Sequence, residues 1–126
     1  MTRDEILAMK PGRELDALVM RIVFNAEKKD IGDECYWVSE FDGEEVCWPR
    51  WFSPSTDIAA AWEVFELNGT QGIIAYQGVE YICTLFAKWD ENGHAVHVKA
   101  TGGTAPEAIC KAALLAVMDG EDENND

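Results

Sequence analysis

Basic residues are scarce in this chain. Its 126 residues include 10 Lys and Arg against 24 Asp and Glu, a formal net charge of −14. Such a surface repels a phosphate backbone, so direct binding to DNA or RNA is not expected. Long apolar runs are missing too. No stretch approaches the ~18 consecutive apolar residues of a membrane span, so no membrane partner is expected. The opening Met1-Thr2-Arg3-Asp4-Glu5 is charged and no apolar segment follows it. No secretory signal is therefore expected, and a cytoplasmic location is. Histidine is limited to His94 and His97, which on a strand would point to opposite faces and so cannot simply share a metal. No Ser–His–Asp or Cys–His pair sits in a recognisable motif, and carboxylates are too abundant for any pair to stand out. The expectation is a protein that is not an enzyme, with no metal and no cofactor.

What is present suits a single folded domain. Apolar residues make up 48% of the chain, enough for one hydrophobic core. Thr2-Arg3-Asp4-Glu5 is a capping box for a short helix that Pro11-Gly12 breaks. From Arg13 to Ala26, Leu15, Leu18, Val19, Ile22 and Val23 recur on one helical face, with Arg13, Asp16 and Glu27 outside the stripe. Residues 34–48 then place Asp42-Gly43 between two aromatic, acidic arms, a strong hairpin signal. Around that turn Cys47 falls nearer Val38 than Cys35. The four cysteines, Cys35, Cys47, Cys83 and Cys110, are thus expected to be reduced and buried.

The stretch Phe52–Leu67 reads as a helix. Ser53 or Thr56 serves as its cap, Pro54 sits in its first turn, and Ile58, Ala61, Trp62 and Phe65 form its buried stripe. Asn68-Gly69 stops it. Three strands are expected at 72–77, 79–89 and 94–101. The middle one is apolar on both faces, with Tyr81, Cys83, Leu85 and Ala87 against Ile82 and Phe86. Such a sheet is expected to be covered on both sides, by helices or by a second subunit. Thr104-Ala105-Pro106-Glu107 opens a last helix to Met118 that is apolar nearly all round, and hence central. Residues 1–118 form the domain, and 119–126 are an acidic tail expected to be disordered.

Three segments carry a family resemblance: T-R-D-E-I-L-A-M-K-P-G-R-E-L-D-A-L-V at the start, S-T-D-I-A-A-A-W-E-V at Ser55–Val64, and T-A-P-E-A-I-C-K-A-A-L-L-A-V at Thr104–Val117. Together they resemble the phage ABA sandwich domain family of small phage and prophage proteins. The resemblance implies helices flanking an antiparallel sheet. It also implies a viral origin and action in the cytoplasm of a bacterial host. It brings no catalytic motif. The fold expected from both routes is α+β, an antiparallel three-stranded sheet flanked by helices as an α-β-α sandwich, with the acidic hairpin inserted.

Two function classes follow. One is a ligand-binding protein that counters host defence by sequestering a small phosphorylated signal such as a nucleotide. Its candidate residues gather at two helix starts. Arg50, Trp51, Ser53, Ser55, Thr56 and Asp57 offer a cation, a ring, hydroxyls and free N–H groups. Thr101, Gly102, Gly103 and Thr104 form a glycine-rich turn onto the last helix. A pocket of this kind in so acidic a chain is expected at a subunit interface, so a homo-oligomer is expected. The other class is a protein-interaction inhibitor. There the hairpin, through Asp42, Glu44, Glu45, Trp37 and Trp48, caps a basic surface on a host defence protein.

Overall fold

The order of elements is α1 (Arg3–Ala8), α2 (Arg13–Ile22), β1 (Glu27–Lys28), β2 (Trp37–Phe41), β3 (Glu44–Trp48), α3 (Ile58–Leu67), β4 (Gly72–Tyr76), β5 (Tyr81–Trp89), β6 (Ala95–Gly102) and α4 (Ala105–Asp122). The computed structural model describes residues 2–67 and 72–122. The fold is α+β and its strands are antiparallel, as expected. There are two three-stranded sheets, however, where one was expected: β1-β2-β3 and β4-β5-β6.

The last helix organises the molecule. It packs against β5 and β6 and also against α1, α2 and α3. Ala108, Ile109, Cys110, Ala112, Ala113 and Leu114 are fully buried, which explains why the helix is apolar on every side. It runs to Asp122, past the expected boundary at Met118; residues 123–126 of the tail lie outside the described residues.

The C-terminal sheet has two unlike faces. Cys83, Leu85, Val98 and Ala100 are buried beneath α4. The opposite face, with Ile82, Thr84 and Phe86 half-buried and Ile73 exposed, has no helix over it among the described residues. The expectation of cover on both sides is therefore not met within one chain.

The acidic hairpin forms around Asp42-Gly43 with the expected register, Val38 opposite Cys47. It does not project alone. β1 adds a third strand, and Trp48 packs on Phe24 and Phe52 at 4.8 and 4.9 Å between ring centroids. Cys35 and Cys47 are joined by a disulfide, which corrects the expectation of four free thiols. The register argument assumed that Cys35 extends the strand. Instead β2 begins at Trp37, and the chain before it turns, with Cys35 N–H donating to Gly32 O and Ile31 N–H to Cys35 O. That turn brings the two Cα atoms to 4.9 Å.

Two helices depart from their expected bounds. The second ends at Ile22, four residues before the expected Ala26. Asn25 takes a left-handed φ of 52° while Ala26 N–H donates to Met20 O. Asn tolerates that conformation, so it ends the helix without a glycine. The third begins at Ile58, because residues 53–57 form a separate turn in which Asp57 N–H donates to Ser53 O. Neither Ser53 nor Thr56 is the cap. Asp57 is: its carboxylate accepts from Ala59 N–H, and its carbonyl accepts from Ala61 N–H.

The buried stripe of α3 is also rotated. Ala60, Ala61 and Val64 are buried, while Ile58 and Trp62 are 53% and 47% exposed. Small residues facing the alanine-rich side of α4 permit closer packing than Trp62 would, so the ring stays outside, stacked on Phe65. Asn68-Gly69, expected to stop this helix, lies outside the described residues.

Candidate functional site: a cationic aromatic cleft

The residues expected at the first helix start are divided by the fold. Arg50, Trp51 and Ser53 line an open cleft of about 630 Å3, together with Arg13, Asp16, Ala17 and Arg21 of α2, Lys28 of β1, and Asp33, Tyr36, Trp37 and Phe52. Ser55, Thr56 and Asp57 do not line it. Ser55 is fully buried and pins two segments: its Oγ accepts from Gly12 N–H at 2.8 Å, and its N–H donates to Asp16 Oδ1 at 2.8 Å. Its hydroxyl holds the cleft wall rather than facing a ligand.

The wall itself comes from helical spacing. Arg13, Ala17 and Arg21 recur every fourth residue along α2, so they share one face. The two arginines leave that face about 12 Å apart along the axis. The small Ala17 between them leaves the middle of the cleft open. Four of the 10 basic residues of the chain line this one space, against two carboxylates. Arg13, Arg21 and Lys28 form no ion pair among the described residues.

Arg50 is held differently. Its Nε donates to Asp33 at 3.1 Å and its Nη2 to Asp30 at 2.9 Å, and its backbone N–H donates to Asp33 O at 2.7 Å. Its guanidinium lies over the Tyr36 ring, 4.4 Å from the centroid, and Lys28 Nζ lies over the same ring at 5.0 Å. The Cys35–Cys47 bridge sits in the same turn as Asp33 and Tyr36 and braces it. Trp51, at the rim, is 63% exposed. Charged donors beside a large exposed ring suit a ligand with an anionic group and an aromatic ring.

The glycine-rich turn does not join this cleft. Gly103 N–H donates to Glu107 Oε1 at 3.0 Å, so a carboxylate of the chain itself occupies that helix start. Lys111 is buried and donates to Glu107 Oε2 at 2.6 Å and to Leu7 O at 2.9 Å. The charges close on each other. Of the hairpin residues, Asp42, Glu44 and Glu45 are exposed near the turn. Trp37 is buried in the cleft wall, and Trp48 is half-buried with its Nε1 donating to Ser39 Oγ at 3.0 Å. The tryptophans thus serve packing.

The histidines do not meet in a metal set. His94 precedes β6 beside Asp90, and His97 lies on the open sheet face against Phe86. Burial pushes the Cys83 thiol up to about 12 and raises that of Cys110 as well, so neither is a ready nucleophile.

A family model for the phage ABA sandwich domain matches residues 16–114, most of the chain. The chain belongs to that family. The match covers the central segment and the C-terminal one as far as Leu114, while most of the N-terminal one precedes it. No curated protein and no solved structure matches the chain. Within the ABA sandwich span lie Asp16, Arg21, Lys28 and the Asp33–Ser53 side of the cleft; Arg13 precedes it. Sequence reasoning missed both arginines: Arg13 was set outside the apolar stripe of a packing helix, and Arg21 was not singled out. Their spacing around Ala17, in a chain so poor in cations, was the available signal.

Proposed function

We propose that this protein binds a small phosphorylated ligand carrying a ring, of the nucleotide class, in the cleft between α2 and the Arg50–Ser53 segment. In this reading it acts by sequestration and not by catalysis, withdrawing a phosphorylated signal from a bacterial host's defence. One observation carries the reading: a chain of net charge −14 gathers Arg13, Arg21, Lys28 and Arg50 around one aromatic-lined space. Crowding cations together costs free energy unless an anion joins them. Arg13 and Arg21 are the groups to meet phosphate oxygens, Arg50 is the braced cation, and Trp51 is the ring to stack.

Isothermal titration with a panel of nucleoside mono- and diphosphates and cyclic nucleotides tests this. Arg21→Ala, which removes no ion pair, is expected to weaken binding by about 2 kcal/mol, roughly 30-fold. Heating the complex and chromatographing what is released separates the mechanisms. Intact nucleotide supports sequestration, altered nucleotide supports catalysis, and no retained nucleotide in any case overturns both.

A second reading has its own observation. In the hairpin Glu40 lies directly opposite Glu45, with Glu44, Asp42 and Glu45 exposed nearby. Like charges paired across strands destabilise a sheet unless a basic partner meets them. We infer from this an alternative role as an inhibitor that caps a basic protein surface. Under it, Glu44→Gln with Glu45→Gln abolishes host-directed activity while the cleft keeps its nucleotide binding.

A further inference from the structure

The C-terminal sheet has two edges, and they are treated differently. At β6 the edge is covered and charged. Arg3 of α1 donates from Nη2 to Lys99 O at 3.4 Å, and Lys99 and His97 are exposed along the strand. Covering, charge and bulges are the usual ways of keeping an edge from pairing. Among the described residues the other edge, β4, shows none of them. Its sequence is Gly72-Ile73-Ile74-Ala75-Tyr76, without a charge, a proline or a register shift, and Ile73 and Tyr76 are 68% and 62% exposed.

Which backbone groups β4 presents follows from its turn. Gln77 N–H donates to Glu80 O, closing the hairpin with β5. Hydrogen-bonded and non-bonded pairs then alternate along an antiparallel ladder. Ala75 opposite Ile82 and Ile73 opposite Thr84 are bonded inward. Gly72, Ile74 and Tyr76 therefore point their N–H and C=O groups away from β5. These three positions are symmetric about Ile74. An antiparallel copy of the same strand, centred on Ile74, sets Ile74 against Ile74, and Gly72 against Tyr76 in both directions. All three pairs are then of the bonded kind, giving about six inter-strand hydrogen bonds. On the open face the same register sets Ile73 beside Ala75 of the other copy. No Asp or Glu lies among the strand residues of that face, which are Ile73, Ala75, Ile82, Thr84, Phe86, His97, Lys99 and Thr101. The acidic excess of the chain is elsewhere, so it does not oppose contact here.

We propose that two copies of this chain pair through β4, making one six-stranded sheet about a two-fold axis at Ile74. A strand of another protein could satisfy the same groups, but only a second copy is matched to this register by its own sequence. The interface is small, so association is expected to be weak and concentration-dependent, with a Kd on the order of micromolar to tens of micromolar. The cleft lies on other segments and is not part of the interface, so this proposal stands apart from the ligand reading.

Sedimentation velocity over a concentration series tests it on the unliganded protein. The wild type is expected to shift from monomer to dimer. Ile73→Lys, at an exposed position on the open face, and Ile74→Pro, which removes an N–H that faces away from β5, are each expected to stay monomeric. Circular dichroism and melting of Ile73→Lys should match the wild type, so that loss of folding is not mistaken for loss of pairing. A wild type that is monomeric throughout overturns the proposal. So does a folded Ile73→Lys that dimerises as the wild type does.

Discussion

The starts of α3 and α4 are both rich in hydroxyls and backbone donors, yet only the first lies beside a cleft lined with cations. Ahead of α4, Gly103 N–H is taken by Glu107, and Glu107 is in turn held by the buried Lys111. Ahead of α3, the hydroxyl and N–H of Ser55 are spent on Gly12 and Asp16, and the cations nearby stay open to a cleft. At both starts a carboxylate of the chain itself takes free donors, Glu107 at α4 and Asp57 with Asp16 at α3, so neither helix end is by itself an anion site. What marks the cleft is the arginines arriving from α2, not the helix end.

The closed start of α4 is opened most directly at Glu107. In the buried pair the side chains of Lys111 and Glu107 are 4% and 15% exposed. Glu107→Gln leaves a buried ammonium with neutral acceptors, such as Leu7 O, in place of its carboxylate. A loss of about 3 kcal/mol is expected, because removing one partner strands the other charge. Urea unfolding measures it. With the carboxylate gone and Lys111 without its ion pair, sulfate should raise the melting temperature of this variant more than it raises that of the wild type. No difference in the sulfate response would mean that the closed start owes nothing to Glu107.

At the start of α3 the corresponding link is Ser55. Ser55→Ala removes the acceptor for Gly12 N–H in a part-buried site. A loss of about 1–2 kcal/mol is expected from the stranded donor. If the Ser55 link positions α2 against the Arg50–Ser53 segment, nucleotide affinity measured by titration should fall as well, although Ser55 does not line the cleft. An unchanged affinity in a destabilised variant would confine Ser55 to stability.

These two helix starts also show where reading the sequence succeeds and where it stops. Elements fixed by local chemistry were legible. The Thr2–Glu5 capping box, the Asp42-Gly43 turn and the three C-terminal strands all form close to where the residues place them. Errors came where a distant partner decided the outcome. Ser53 with Pro54 is a sound local start signal, but Ser55 is bonded to Gly12 and Asp16 across the fold, so the turn stays separate and Asp57 caps instead. The stripe of α3 rotated because α4 offers alanines, a fact of packing that no window along α3 contains. Cys35 reached Cys47 through a turn, not a strand. The cleft was half legible: Arg50, Trp51 and Ser53 were in view, but Arg13 and Arg21 become neighbours of them only when α2 docks.

A third helix start, Thr2–Glu5, is the smallest and cleanest case. Its capping box is complete: Glu5 N–H donates to Thr2 Oγ1 at 3.2 Å and Thr2 N–H donates to Glu5 Oε1 at 3.1 Å. Like Glu107, Glu5 satisfies a helix start from within, but at the surface and without a buried cation. The hydrogen bond from the Thr2 backbone, followed by that from its side chain, holds the Glu5 carboxyl below its usual value of 4.5. A carboxyl lowered on folding binds its proton less readily in the native state. Its contribution to stability is therefore complete above the unfolded value and is lost as pH falls through the folded one. Carboxyl chemical shifts followed by NMR from pH 6 to about 2 should show Glu5 titrating below 4.5. In Thr2→Ala the Glu5 value should rise toward 4.5, and the acid-dependent part of α1 stability should shrink with it. If Glu5 titrates the same in both proteins, the reciprocal bond does not persist in solution, and the contrast between helix starts closed by an exposed box and by a buried ion pair narrows to the ion pair alone.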